Sequence, residues 1–291
     1  MFKRQTTGSI VCPSCHKLVS VKDEKCYYCG RLNPGMWGYA SFLRRLGQDL
    51  GFVQIVTWGC VGLYIAMLLA DLEGIRGDSL FSLLSPSGRM AFLFGASGGL
   101  PLFQAGRWWT VLSAGWLHGS LLHIGFNMMW VRHLAPATAS EYGIGRTVII
   151  YTAACITGFL LSSWVGAFLP SLPGPLRGAS STTLGASAPI FGLLGALVYT
   201  GKKGSSAVSQ QALGFAAILF VIGLVMPGID NWAHAGGFGG GYLMARWLDP
   251  LQPERTDHQI AALLCIGLTI LSVVASVVEV SIHPEKYPFM Y

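Results

Sequence analysis

Leu184-Gly185-Ala186-Ser187-Ala188-Pro189-Ile190-Phe191-Gly192 opens an apolar run that reaches Tyr199. Proline is tolerated in the first turn of a helix, where its missing N–H has no partner to lose. Pro189 therefore predicts a helix starting close to Ser187. At such a start, orphan backbone N–H groups and the positive end of the dipole can receive developing negative charge. Ser187 is a candidate nucleophile and equally a candidate N-cap, the commoner use of a serine in this position. The remaining chain has to decide between the two.

The apolar character of this run recurs throughout the 291 residues, of which 52% are hydrophobic and only 11% charged. This is the composition of a membrane protein. Seven stretches read as spans: 52–70, 120–137, 147–169, 187–200, 211–226, 231–247 and 260–280. Several are rich in glycine and polar residues and two are short, so they need neighbours to shelter them from lipid. The expected fold is an all-α polytopic helical bundle in the lipid bilayer.

Orientation follows from the cations. With the N-terminus inside, 14 of the 19 Lys and Arg residues fall on the inner side. The outer side keeps Arg76, Arg89, Arg107, Arg177 and Lys286. The positive-inside rule then gives a cytosolic N-terminus and an outer C-terminus. This bias accounts for most of the net charge of +6, so no nucleic-acid partner is expected. The first forty residues are polar and cysteine-rich and are not expected to act as a cleavable signal.

Residues 1–34 read as a separate cytosolic unit. Cys12-Pro13-Ser14-Cys15 and Cys26-Tyr27-Tyr28-Cys29 form two Cys-x-x-Cys knuckles, and four thiolates make a closed tetrahedral zinc site. A disulfide pair or a redox motif are the alternatives, and a cytosolic side disfavours stable disulfides. Zinc in such a site would be structural and would drive the folding of the unit. His16 adjoins a knuckle and reads as a bystander. The unit could bind a cytosolic partner. Residues 35–51 form a basic linker, with Trp37, Tyr39, Phe42, Leu43 and Leu46 beside Arg44 and Arg45. They predict either an interfacial helix or the simple positive flank of the first span.

Some fifty residues from Asp71 to Gly119 separate the first two spans, and a connection this long is expected to do something. His118 follows, and then His123 and Asn127, four residues apart and so on one face of the second span. The two could be helix–helix hydrogen-bond glue or part of a polar site. The sixth span opens Asn231-Trp232-Ala233-His234, with Gly237 and Gly241 four apart, a face that admits another backbone at close range. His234 falls at the same depth as Ser187. The last span has no polar constellation, and Glu279 near its end reads as a snorkelling side chain.

A serine beside a neutral imidazole is the minimum for nucleophilic acyl transfer. The outer halves of the fourth and sixth spans offer no carboxylate to orient that imidazole. The expectation is a Ser187/His234 dyad, with Phe191, one turn beyond Ser187, as the platform on which the ring stacks. The Ser187 N–H with the Asn127 and His123 side chains could bind an oxyanion, with His118 in support.

On Gly185-Ala186-Ser187, Ala233-His234-Ala235-Gly236-Gly237 with Gly241, and His118…His123…Asn127, the chain resembles the rhomboid family of intramembrane serine proteases. Trp108-Trp109 and Glu141-Tyr142-Gly143…Arg146 look similar too. The resemblance covers about residues 52–248. It implies a six-helix core and cleavage of single-span membrane proteins at or near their helix, without a cofactor for catalysis. It leaves 249–291 as a seventh span with an outer tail. The zinc-ribbon-like unit and the seventh span are similar to additions in bacterial members, which implies the bacterial inner membrane. Two positions depart from the pattern. The glycine expected after the serine is Ala188, whose methyl could crowd the oxyanion pocket or shift substrate preference. The expected Trp-Arg pair stands as Trp109-Thr110, leaving that loop without its arginine anchor. The alternative is a rhomboid-like binder that holds helices without cutting them.

Overall fold

The computed structural model describes residues 4–15, 17–46, 49, 51–173, 176–204, 206–226 and 228–287. Seven long helices carry these residues: α1 Phe52–Ala70, α2 Leu121–Tyr142, α3 Ile144–Phe168, α4 Ser187–Lys203, α5 Ser206–Val225, α6 Asn231–Trp247 and α7 Thr256–Ile282. Each apolar stretch of the sequence falls on one of them. α1, α3, α5 and α7 are long and apolar enough to cross a membrane, and the chain is an integral membrane protein. The other three fall short of that standard for physical reasons. α4 and α6 have 17 residues each, about 25 Å of helix against the ~30 Å of a bilayer's apolar layer. α2 has the length but carries His123, Asn127, Arg132 and His133. These three helices bear the candidate site.

Helices of this kind need shelter, and the packing provides it. Thirteen of the 17 residues of α4 are buried, which makes it the central helix of the bundle. Its closest partner is α6, and glycines set the distance. A Cβ on Gly237 would run into the backbone of Ala188, and one on Gly241 into the backbone of Gly192. α4 contributes glycines of its own, since a Cβ on Gly195 would collide with Phe238 and Tyr242 backbone. α3 closes against the other side of α6, where the Thr157 hydroxyl donates to Gly236 O at 2.9 Å.

The segment between α1 and α2 is folded throughout. Ser87 caps a short helix, Gly88–Phe94; a π-helical turn follows at Leu100–Gln104, and a further turn at Thr110–Ser113 runs into Ala114–Trp116. An arginine does anchor it, two residues before the expected pair. Arg107 is fully buried and donates to Phe92 O at 2.8 Å and to Ser276 O at 2.9 Å. It also lies 3.2 Å from a Glu279 carboxylate oxygen. Two expectations for the last helix are thereby corrected. α7 does carry a polar constellation, with Thr269, Ser272 and Ser276 buried. Glu279 does not snorkel; it turns inward to the guanidinium.

The N-terminal residues form β1 Ser9–Val11 and β2 Leu18–Ser20, an antiparallel pair with Ile10 opposite Val19. Ile10, Cys12, Val19, Val21, Cys26 and Ala40 make a small apolar cluster. Residues 36–46 do not form the continuous interfacial helix considered above; they break into three short turns, Met36–Gly38, Ala40–Leu43 and Arg44–Leu46. The break has a tertiary cause. Gly38, at φ +91°, accepts a hydrogen bond from Gln5 N, and a side chain there would collide with the Gln5 backbone. The linker is folded back on the cysteine unit.

Candidate active site

Ser187 is the first residue of α4, so its N–H is among the four that have no partner within the helix. Gly185 precedes it at φ +131°, a backbone setting that L side chains rarely adopt. The same glycine is needed for space. A Cβ there would meet His123 Nε2 at 2.6 Å and Asn127 Nδ2 at 3.6 Å. The corner leading into Ser187 thus lies directly against the polar face of α2.

Ser120 caps α2 and accepts from His123 N at 3.2 Å, which fixes the start of that face. His123 Nδ1 accepts from Gly119 N at 3.3 Å. A neutral imidazole with Nδ1 acting as acceptor carries its proton on Nε2. The N–H of His123 is therefore aimed toward Gly185. Asn127 is buried and its Nδ2 donates to nothing among the described residues. His118, fully buried, sets its ring edge-on to that of His123 at 5.2 Å.

His234 stacks on Phe191, with ring centroids 4.1 Å apart and planes 13° from parallel. Ser187 and Phe191 are four residues apart on α4 and share one face. The imidazole therefore lies over the face that Ser187 heads. His234 is buried, and its Nδ1 has no partner among the described residues. No described carboxylate reaches the ring. Asp230 sits one turn earlier but points elsewhere: Oδ1 accepts from Ala233 N as N-cap of α6, and Oδ2 accepts from the Ser162 and Thr183 hydroxyls. Asp230 is a residue that sequence reasoning passed over. It ties α6 to α3 and to the strand-like approach to Ser187. Its signal was an N-cap aspartate immediately before the His234 helix.

The methyl of Ala188 faces α3, where a Cβ on Gly158 would meet it at 2.8 Å. It packs in an apolar cluster with Ala114, Cys155, Phe159 and Ala233.

The four N-terminal cysteines converge, their sulfurs all within 4.8 Å of one another. Cys12 Sγ lies 3.8 Å from Cys29 Sγ, and Cys15 Sγ lies 3.6 Å from Cys26 Sγ. All four are free thiols. Two sulfurs on one zinc at ~2.3 Å stand about 3.8 Å apart at the tetrahedral angle, so the spacing fits that ion. Burial raises the Cys26 thiol, but hydrogen bonds to the backbone at Cys29 and Tyr28, together with those to the Cys15 and Cys29 thiols, bring the pKa down to about 7. His16 lies outside the described residues.

An integral membrane protein with serine, imidazole and amide groups gathered where three sheltered helices begin is the class these features define. Residues 105–249 match the Rhomboid domain, and the chain belongs to the rhomboid family. It is 32% identical to Rhomboid protease GluP of Bacillus subtilis (strain 168) over 175 residues, 58% of this chain and 32% of that protein. It is 29% identical to RHOMBOID-like protein 4 of Arabidopsis thaliana over 167 residues, 56% of this chain and 39% of the relative. Rhomboid-type serine protease 2 of Emericella nidulans is 28% identical over 139 residues, 45% of this chain and 25% of its own. The chain spans less than half the length of each of these three relatives.

Proposed function

We propose that this chain is an intramembrane serine endopeptidase that cuts single-span membrane proteins within or near their helix. The stacked Phe191–His234 pair, one turn from Ser187 on the same face, carries the reading. Ser187 Oγ attacks the scissile carbonyl while His234 takes its proton. The oxyanion accepts from the Ser187 N–H, the His123 Nε2–H and the Asn127 amide, with His118 holding His123 from behind. His234 then protonates the leaving amine, and a water activated by the same ring hydrolyses the acyl-enzyme. Stacking takes the place of the orienting carboxylate.

The six helices of residues 52–248 form the protease core in this reading, with 249–291 as a seventh span and outer tail. The short α4 leaves Ser187 recessed below the outer lipid surface. The N-terminus is cytosolic and the C-terminus outside, as the lysines and arginines favour, in a bacterial inner membrane. Residues 1–34 form a zinc-ribbon-like unit on Cys12, Cys15, Cys26 and Cys29, joined through the 35–51 linker and open to a cytosolic partner. Zinc bound there is a structural cross-link and takes no part in catalysis.

The test is a fluorophosphonate probe, which should label the wild-type protein and neither Ser187→Ala nor His234→Ala. The same three proteins are compared on a panel of single-span reporters in detergent. Retention of a reporter helix without labelling or cleavage would make the chain a non-catalytic binder instead.

A further inference from the structure

α7 lies outside the 105–249 rhomboid match, yet it holds the segment that leads to the serine. Its grip is polar and buried. Ser276 O accepts from Arg107 Nη2 at 2.9 Å, and Ser276 Oγ accepts from Trp109 Nε1 at 3.0 Å. Glu279 lies 3.2 Å from Arg107 Nε and accepts from Tyr287 O–H at 2.8 Å. The guanidinium also sits 4.3 Å over the Phe92 ring. Arg107 and Trp109 thus each contact one turn of one helix.

From there a hydrogen-bonded path runs to the site. Thr110 Oγ1 donates to Arg107 O at 2.8 Å and starts the turn Thr110–Ser113, which ends at Ala114. Ala114 O accepts from Gly185 N at 2.9 Å, two residues before Ser187. A second edge runs parallel to it. Ser97 and Thr183 exchange both backbone hydrogen bonds, at 3.0 and 2.7 Å, and Gly99 N and Leu100 N donate to Ala179 O and Ser180 O. The approach to Ser187 therefore rests on the 97–114 segment, which in turn rests on α7.

We propose that Arg107 and Glu279 are positioning residues for Ser187: α7 fixes the 97–114 segment through them, and that segment fixes the Gly185 corner. The proposal rests on the reading of Ser187 as nucleophile for its effect on rate, and on geometry alone for its effect on Gly185. A buried guanidinium that loses its carboxylate keeps its place poorly, because the remaining charge is uncompensated. The slack then appears where the path ends. Small displacements of a nucleophile cost rate far more than binding.

The experiment uses full-length protein in detergent, as wild type, Glu279→Gln, Glu279→Asp and Arg107→Lys. Hydrogen exchange is followed on peptides covering Gly185 and the middles of α4 and α6. Kinetics are followed on a single-span reporter. Glu279→Gln should speed exchange at the Gly185 amide about tenfold and leave the helix middles protected. Its kcat should fall about ten- to a hundredfold with KM within about twofold. Glu279→Asp should recover most of both effects. Unchanged Gly185 exchange in Glu279→Gln and Arg107→Lys, with the bundle intact, overturns the proposal. A wild type that neither labels nor cleaves sinks the protease reading, and the exchange result still decides the positioning. Should Glu279→Gln lose protection in α4 and α6, Ser276→Ala, which removes the Trp109 contact and the bond to Ser272 O but keeps the carbonyl that Arg107 meets, is judged by the same criteria.

Discussion

The rings of Phe191 and His234 lie face to face, 4.1 Å apart and 13° from parallel, on two helices whose backbones touch through glycine. Among the described residues no carboxylate reaches the imidazole, so this contact is what sets the ring plane. Phe191→Leu keeps an apolar side chain in the core but removes the flat platform. It should cost stability by about 1 kcal/mol, in the range of an aromatic pair, and lower kcat by about tenfold or more through misorientation of the base. Phe191→Tyr should retain most activity. Reporter kinetics beside thermal unfolding separates the two effects, and equal kcat in Phe191→Leu and wild type would remove the platform from the mechanism.

Glycine spacing between α4 and α6 gives a second expectation. Gly237 and Gly241 admit the α4 backbone so closely that any Cβ must displace it, whereas Gly214 on α5 has open space around it. Gly237→Val should destabilise the bundle by about 1–3 kcal/mol, the usual cost of overpacking, or more. Gly214→Ala should be neutral or stabilising by up to about 1 kcal/mol, since alanine is the better helix former. Unfolding midpoints in detergent would show the contrast. A Gly237→Val protein as stable as wild type would mean that the two helices do not approach as described.

The helices and the residues gathered at their ends were legible because local pattern determines them. Apolar runs marked all seven long helices, Pro189 marked the start of α4, and the Gly237/Gly241 pair marked its partner. What stayed hidden lies in contacts between residues far apart in the chain. Nothing near Arg107 in sequence says that Glu279, 172 positions later, will meet it, so the loop looked unanchored and Glu279 looked like a surface acid. Asp230 was passed over for a related reason: its cap is local, but its bonds to Ser162 and Thr183 belong to the tertiary fold. The linker failed as a helix because Gly38 packs on Gln5, a contact that hydrophobic periodicity does not record.

Asp230 provides a third test. Its carboxylate caps α6 and holds hydroxyls from α3 and from the 170–186 connection, so Asp230→Ala removes three contacts at once. Loss of the cap alone costs about 1 kcal/mol, and leaving Ser162 and Thr183 without an acceptor adds about as much again for each. The helix start that carries His234 should loosen, and activity should fall with it. Asp230→Asn keeps an acceptor oxygen and should lie between. Hydrogen exchange at Ala233 and His234 measures the loosening, and protection unchanged in Asp230→Ala would show that the network is dispensable.

The last expectation joins the cysteine unit to the bundle. Arg31 follows the second knuckle, and Cys26 N donates to its carbonyl at 2.8 Å, so the knuckle sets the course of the chain there. Its buried guanidinium meets buried Glu254 at 2.9 Å, and the same carboxylate accepts from Gly145 N at 2.5 Å and Arg146 N at 3.2 Å at the start of α3. Breaking such a buried pair from one side costs about 3–5 kcal/mol. Arg31→Ala should therefore detach residues 4–34 and expose the Gly145 amide, while Cys29→Ser should do the same by opening the thiolate set. Metal analysis should find one zinc per wild-type chain and a clear loss in Cys29→Ser. Zinc ligation requires deprotonated thiols, so occupancy should fall as the pH is lowered. Arg31→Ala should keep its zinc, because the guanidinium lies outside the sulfur cage. Proteolysis in the 35–51 linker, faster in both variants than in wild type, is the readout. Equal protease resistance in all three would mean that the unit is held to the bundle by something other than Arg31 and the metal.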